Sequence, residues 1–232
     1  MKVDSSNING YRYERKFVVS ELSQYEIESL LMLHPAMFFE IYHSRFVNNL
    51  YFDSPDRKHY LENIDGLADR VKVRIRWYGD LFGYIEEPTL ELKLKYGLVG
   101  RKEVYPLSPL SIDGCLENDT FLEVFAESNV PDEIKFNLTS LELSLLNRYR
   151  RKYFKSVDGS FRITIDTGME CYLVQGHSNT FLHKSVDAVN TVVELKYAPE
   201  NDSRVDQITK HFPFRMTKSS KYVNGVERLS LW

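Results

Sequence analysis

The segment Arg70-Val-Lys-Val-Arg-Ile-Arg-Trp77 decides the fold, because basic and apolar side chains alternate along its whole length. Successive side chains of a β-strand point to opposite faces, so the four basic side chains share one face and the four apolar side chains share the other. In a single strand this pattern ordinarily indicates one solvated face. It becomes informative about the fold only if other strands repeat it.

Four other predicted strands show the same division between a charged and an apolar face: Arg12–Phe17, Leu90–Lys95, Phe161–Asp166 and Val193–Tyr197. Solvated faces would carry Ser, Thr, Gln and charges of both signs, whereas here Lys and Arg dominate with isolated Glu. A closed barrel explains this bias, because its polar faces can converge on the lumen while helices cover the apolar faces. The sequence therefore predicts an α+β protein with a closed antiparallel eight-stranded β-barrel and flanking helices, formed by residues 1–232 as a single domain.

A basic lumen implies an anionic ligand. Two like charges about 4 Å apart repel by about 1 kcal/mol in water and by about 4 kcal/mol at an effective dielectric constant near 20. The isolated carboxylates suit a divalent metal, because Mg²⁺ is usually bound through one or two carboxylates together with substrate phosphate oxygens. Glu194 is the first candidate metal ligand and Glu14 is the second. For each residue the alternative is an ion pair with a neighbouring Lys or Arg, and position alone does not separate the two interpretations.

Composition excludes several other classes of protein. The net charge of −3 argues against a nucleic-acid-binding protein with a strongly basic surface. Cys115 and Cys171 lack the spacing of a disulfide framework or a zinc site, which favours a reducing compartment. Residues 1–10 lack the apolar stretch of a signal peptide, and no segment approaches about 18 consecutive apolar residues. The sequence therefore predicts a cytoplasmic protein that does not insert into a membrane.

The remaining elements are predicted from cap and turn signals. Ser20 is the first candidate cap for a helix beginning near Leu22, and Ser23 is the second. Pro88 predicts a bulge or break within the strand-like segment Gly83–Tyr96. The other predictions are strands at Phe46–Phe52, Arg101–Leu107, Leu145–Val157 and Met169–Val174, helices at Arg57–Asn63, Leu116–Ser128 and Val205–His211, and a candidate mobile loop at Gly176–Asp187.

The order of these motifs resembles that of the triphosphate tunnel metalloenzymes and, among them, the VTC domain of polyphosphate polymerases. Each matching stretch is weak by itself, but their order is specific and extends over nearly the whole chain. The stretches are Tyr13–Phe17, Tyr51–Pro55, Lys72–Gly79, Glu91–Lys93, Tyr149–Phe154, Phe161–Asp166, Glu194–Lys196 and Thr217–Tyr222.

The resemblance implies an eight-stranded tunnel whose cations bind phosphates and act in catalysis: Lys16, Arg74, Arg76, Lys93, Arg151 and Arg162. It implies further phosphate contacts from Arg101, Lys102, Lys196, Lys218, Ser220 and Lys221. Glu194 corresponds to the metal ligand of the family, so the expected cofactor is Mg²⁺ or Mn²⁺. The expected partners are ATP or another nucleoside triphosphate and tripolyphosphate or polyphosphate.

The first strand departs from the pattern of the triphosphatase relatives. Those proteins carry Glu-x-Glu-x-Lys, whereas this chain has Arg12-Tyr-Glu14-Arg-Lys16. Fewer carboxylates weaken the case for a two-metal hydrolase and favour transfer of the γ-phosphoryl group to a growing polyphosphate chain, and they leave the role of Glu14 open. The alternatives are a metal-dependent tripolyphosphate or nucleoside-triphosphate hydrolase and a non-catalytic sensor of polyphosphate or nucleotide.

Aromatic side chains next to the basic segments have two interpretations. Trp77, Tyr78 and the tyrosines at positions 149 and 153 could pack in the wall or could offer platforms on which a base stacks. The sequence favours wall packing.

Overall fold

A computed structural model of the chain describes residues 10–113, 116–174, 179 and 181–229. The described residues form eleven strands: β1 (Arg12–Val19), β2 (Phe39–Asp53), β3 (Asp69–Tyr78), β4 (Gly83–Ile85), β5 (Thr89–Tyr96), β6 (Val99–Pro106), β7 (Leu110–Ile112), β8 (Glu142–Lys155), β9 (Phe161–Leu173), β10 (Lys184–Asp187) and β11 (Thr191–Tyr197). They also form six α-helices: α1 (Gln24–Met32), α2 (Lys58–Ile64), α3 (Asn118–Glu127), α4 (Asp132–Leu138), α5 (Val205–Thr209) and α6 (Lys221–Arg228), with a 3₁₀ helix at Pro199–Arg204.

Eight strands form a closed ring in the order β9-β11-β1-β6-β5-β3-β2-β8, because β8 pairs back to β9. All of these pairings are antiparallel. Strand β10 adds to β9 outside the ring, and β4 and β7 form a separate two-stranded sheet. The predicted α+β class, with a large antiparallel sheet and flanking helices, is confirmed.

The apolar faces of the ring strands pack against the helices. Ile75 and Trp77 of β3 belong to one buried cluster with Phe121 of α3, and Phe17 of β1 belongs to another with Leu31 of α1. The buried apolar side chains of α6 pack in a third cluster. Full burial of one such side chain stabilises the fold by roughly 1.5–3 kcal/mol. The core therefore lies between the outer face of the ring and the helices, which leaves the other face of each strand for the interior.

Ser23, rather than Ser20, caps α1. The Ser23 hydroxyl accepts from the Glu26 backbone N–H at 3.3 Å, and the Glu26 carboxylate accepts from the Ser23 backbone N–H at 2.8 Å. This reciprocal capping box requires Glu or Gln three residues after the cap, a condition that Ser23 meets and Ser20 does not. Pro88 does break the predicted segment, because β4 ends at Ile85 and β5 begins at Thr89.

Two strands are longer than predicted. Strand β2 begins at Phe39 instead of Phe46, because residues 39–45 pair with β8 through irregular register shifts that obscure the alternation. Strand β9 continues from Phe161 to Leu173, where two strands were predicted, and it accommodates Gly168 at a positive φ of 60°. Strand β7 and helix α4 were not predicted.

Part of the predicted mobile loop Gly176–Asp187 lies outside the described residues, as does Cys115. The end of that segment, Lys184–Asp187, is strand β10 and pairs with β9. In the part of the chain that the structure describes, no helix has the length and apolar character needed to cross a bilayer.

Candidate functional site

The strands of the ring line a cavity of about 420 Å³. Among the described residues, its lining carries thirteen Lys and Arg side chains and two carboxylates, Glu14 and Glu194. The lining cations are Arg12, Lys16, Arg45, Lys72, Arg74, Arg76, Lys93, Arg101, Lys102, Arg151, Arg162, Lys196 and Lys221. The charged faces predicted from strand alternation therefore do converge on one cavity.

Most of the predicted site residues lie together in this cavity. Every predicted phosphate-binding residue except Lys218 lines it, and Lys218 is exposed. Both predicted metal ligands also line the cavity. Three lining cations were not among the predicted site residues. Arg45 belongs to the irregular first part of β2, whereas Arg12 and Lys72 lie on the charged faces that the alternation identified but were assigned no role.

Glu194 is surrounded by cations from four elements. The Lys196 Nζ lies 2.8 Å from Glu194 Oε2 and the Lys221 Nζ lies 3.2 Å from Oε1, while Lys16 Nζ and Arg151 Nη2 are each 3.6 Å away. Burial by itself would raise the pKa of Glu194, but these cations outweigh it and hold the pKa well below its ordinary value. The carboxylate is therefore ionised and central to the cavity.

Asp166 is the second carboxylate of this cluster. Both of its oxygens accept from Arg151, at 2.5 and 2.6 Å, and its Oδ2 lies 2.6 Å from Lys221 Nζ. Burial opposes ionisation of Asp166, yet Arg151 and Lys221 lower its pKa. Because Lys221 contacts Asp166 and Glu194 at once, the two carboxylates and Arg151 form one network that fixes the guanidinium in place.

Glu91 of β5 forms a separate cluster with cations of the neighbouring strands β3 and β6. It is buried, and its Oε2 accepts from Arg74 Nε at 2.9 Å and Arg74 Nη2 at 2.6 Å. Arg76 Nη1 lies 3.4 Å from the same oxygen, and Lys102 donates to Oε1 at 2.7 Å. Burial would raise the pKa of Glu91, but the three cations lower it. Glu91 thus orients two arginines that line the cavity.

Glu14 makes a close ion pair with Lys93. The Lys93 Nζ lies 2.8 and 3.1 Å from the two Glu14 oxygens. Burial opposes ionisation, but Lys93 and Lys196 lower the pKa of Glu14. The metal-ligand role of Glu14 stays a prediction.

Some lining cations, including Lys72 and Arg162, have no carboxylate partner in the part of the chain that the structure describes. Lys72 donates to the Ser220 hydroxyl at 2.8 Å, and burial, followed by repulsion from Lys16 and Lys93, lowers its pKa well below the ordinary value. Among the described residues, no carboxylate forms an ion pair with Arg162. The excess of positive charge is thus not neutralised within the cavity, which favours binding of a polyanion.

Lys221, the first residue of α6, and Ser220, which caps the helix, both line the cavity. The Tyr222 hydroxyl donates to Asp53 Oδ2 at 2.6 Å, and the Ser220 hydroxyl caps the helix by accepting from the Val223 backbone N–H. A Cβ atom on Gly225 would lie only 2.5 Å from a side-chain carbon of Leu145 in β8, so glycine permits the close approach. These contacts fix the start of the helix against the ring.

Oxygen donors near Glu194 fit a hard divalent cation. Thr164 lies opposite Glu194 in the register of β9 and β11, and its buried hydroxyl has no hydrogen-bond partner. Across the described ranges, no three His, Cys, Asp or Glu side chains form a complete metal site. The donor set therefore fits a cation that brings phosphate oxygens and water as most of its ligands, the usual arrangement for Mg²⁺.

The lowered pKa of Lys93 predicts that ligand binding depends on pH. Burial, together with repulsion from Lys16 and Lys196, lowers the pKa of Lys93 to about 8 against the opposing effect of Glu14. A bound polyanion favours the charged ammonium and raises this pKa, so above about pH 8 the complex holds more protons than the free protein. We expect the Lys93 contribution to lower tripolyphosphate affinity as the pH rises above 8, by up to about tenfold per pH unit.

Titration calorimetry with tripolyphosphate from pH 7 to pH 9.5 measures this effect. The variant Lys93→Arg is the comparison, because guanidinium stays charged over this range. The difference in log Kd between the two proteins should be constant below pH 8 and should grow above it. A difference that does not change with pH contradicts the assignment.

Two solved structures share the fold. A protein from Hippeastrum, assigned as an adenylyl cyclase and having a dominant triphosphatase activity, matches with a TM-score of 0.54 and 12% identity over 94% of this chain and 95% of that one. An assigned adenylate cyclase from Vibrio parahaemolyticus matches with a TM-score of 0.52 and 11% identity over 91% and 95%. Comparison with curated proteins gives no match.

The family comparison covers almost the entire described chain. The model of the VTC domain matches residues 11–230, a range that contains every strand of the ring and helix α6. The chain therefore belongs to the VTC domain family.

Proposed function

We propose that this protein binds a nucleoside triphosphate and polyphosphate in the cavity and transfers the γ-phosphoryl group to the polyphosphate end with a divalent metal. The observation that carries the proposal is the lining of the closed ring, in which thirteen cations outnumber the five described carboxylates that pair with them: Glu14, Glu91, Glu103, Asp166 and Glu194. Phosphoryl transfer requires mainly positioning and stabilisation of charge, and fixed cations supply both.

The triphosphate is bound by Arg74, Arg76, Lys93, Arg151 and Arg162. The planar guanidinium can donate two parallel hydrogen bonds to one phosphate, whereas Lys acts as a point charge. Arg74 and Arg151 are already oriented by Glu91 and Asp166, at 2.5–2.9 Å. These donors do not have to reorganise when charge develops on the transferred group.

Glu194 and the free Thr164 hydroxyl provide the place for Mg²⁺ or Mn²⁺. When bound, the metal would supply positive charge that neutralises the negative charge of the phosphates during transfer. The contribution of the chain is to keep Glu194 ionised through Lys16, Lys196, Lys221 and Arg151.

The acceptor phosphate lies toward α6. Lys16 and Lys221 contact Glu194 there, and Lys16 also donates to the Ser219 carbonyl at 2.9 Å. An oxygen of the acceptor phosphate forms a bond to the γ-phosphorus while the bond from that phosphorus to the bridging oxygen of the leaving nucleoside diphosphate breaks. A phosphate end is already ionised at neutral pH, so the acceptor needs no dedicated general base. The exposed Lys218 lies outside the cavity lining and places one more positive charge near the proposed acceptor site.

Hydrolysis is the second candidate, because water could replace the acceptor phosphate in the same cavity. The dominant triphosphatase activity of the Hippeastrum protein, which shares the fold, favours including it. Incubation with ATP and Mn²⁺ or Mg²⁺, followed by gel separation of the products, distinguishes the candidates. We expect long polyphosphate chains. Free phosphate as the only product would support hydrolysis, and tight binding without turnover would indicate a sensor.

A further inference from the structure

A group of three tyrosines and one arginine lies at the mouth of the cavity away from α6. The guanidinium carbon of Arg45 is 3.9 Å from the ring centroid of Tyr78, 5.0 Å from that of Tyr153 and 5.7 Å from that of Tyr42. Arg45 Nε also donates to the Tyr153 hydroxyl at 3.2 Å. All four side chains line the cavity, and we call them the tyrosine–arginine mouth.

The exposure of these rings argues against a purely structural role. Tyr42 is 53% exposed and Tyr78 is 46% exposed, whereas Tyr149, on the wall of the same cavity, is 1% exposed. Wall tyrosines gain stability by burying their rings, and these two leave much of theirs in water. Wall packing, as predicted from the sequence, is therefore confirmed for Tyr149 but does not account for Tyr78.

Strand register places the tyrosine–arginine mouth opposite α6. Tyr222 of α6 stacks on Tyr51 of β2 with ring centroids 5.1 Å apart. Arg45 lies six residues back along the same strand, which is roughly 20 Å at about 3.3 Å per residue. Arg45 is also the register partner of Arg151 in β8, so a planar ring bound at this mouth lies next to a phosphate-binding cation.

We propose that the tyrosine–arginine mouth binds the nucleobase of the nucleoside triphosphate by stacking; this inference rests on the proposed function. Bases of every kind have a π-face that can stack on tyrosine and on a guanidinium plane, so such a platform tolerates different bases. With the base at this mouth, the phosphates extend along the cavity past Arg151, and the γ-phosphate points toward Lys16 and Lys221. That orientation brings the donor phosphate to the acceptor end.

The test compares the binding of two ligands to three proteins: the wild type, a double variant and a control variant. The double variant Tyr42→Ser/Tyr78→Ser removes the exposed rings without changing charge, and Tyr84→Ser is the control because Tyr84 is also exposed but lies outside the cavity lining. Calorimetry should show ATP binding weakened about tenfold in the double variant, since loss of a base-stacking contact has about this effect. The Kd for inorganic tripolyphosphate should change less than twofold.

If the double variant binds both ligands equally more weakly, or binds ATP as the wild type does, the inference is overturned while the proposed function is left intact. Failure of the wild-type protein to bind either ligand contradicts the proposed function itself. A second measurement needs no variant: the fluorescence of etheno-ATP changes when its base stacks, and tripolyphosphate should reverse the change by competition. An unaltered spectrum at saturating protein also overturns the inference.

Discussion

Replacing Glu194 with Gln should lower turnover with Mg²⁺ or Mn²⁺ by about 10³-fold, which corresponds to roughly 4 kcal/mol of activation free energy. Glutamine keeps the shape of the side chain but removes the negative charge that a divalent cation requires. Four cations surround this carboxylate, so its loss makes the cavity more positive. Binding of tripolyphosphate without metal should therefore be retained or become tighter.

Product formation and metal-free calorimetry measure the two halves of this prediction. Glu28→Gln is the matched control, because Glu28 pairs with Lys152 at 2.8 Å outside the cavity lining. Its turnover should equal that of the wild type. If Glu194→Gln keeps more than a tenth of the activity, or loses metal-free binding, Glu194 is a structural counter-ion and not the metal ligand.

Arg74→Met and Arg162→Met should both weaken tripolyphosphate binding but should differ in stability. Each loses charge-assisted hydrogen bonds to phosphate, a loss of about ten- to a hundredfold in affinity. Arg74 also makes the closest ion pair with the buried Glu91, and Arg76 and Lys102 compensate only part of its loss, so removing Arg74 should cost up to about 3 kcal/mol. Arg162 has no such partner among the described carboxylates, so its removal only relieves repulsion from other cations.

Thermal unfolding of the ligand-free variants measures this difference. We expect Arg74→Met to lower the Tm and Arg162→Met to leave it level or raise it. The double variant Arg74→Met/Glu91→Gln provides the control, because the buried carboxylate that has lost its closest cation is then a neutral amide, and part of the lost stability should return. A clear drop in Tm for Arg162→Met would show that it has a structural role.

The positions of the cations could be predicted from the sequence, because strand alternation depends only on the two-residue period of β structure. Lys72, Arg74 and Arg76 each line the cavity, as the segment around them indicates. Arg45 could not be found in this way, because the register of β2 shifts twice between Glu40 and Arg45 and side-chain direction no longer follows from parity.

The pairing of charges could not be predicted either. Glu91 contacts Arg74 and Arg76 on β3 and Lys102 on β6, so its surroundings depend on the register of both neighbouring strands. Lys221 reaches Asp166 and Glu194 only because Tyr222 and Gly225 fix α6 against the ring. Such contacts depend on tertiary packing, which cannot be predicted from the alternation of residues within one strand.

Closure of the ring also determines how the chain can fold. Strand β1 pairs with β11, so that Tyr13 stands opposite Tyr197, far away along the chain. Contacts between distant residues must overcome the entropy of closing a long loop before they contribute any stability, and chains rich in them fold slowly. Until β11 joins β1, both strands have unpaired edges that can pair with other chains. Slow closure with exposed edges makes the partly folded chain vulnerable to aggregation during the same step that brings the cations together.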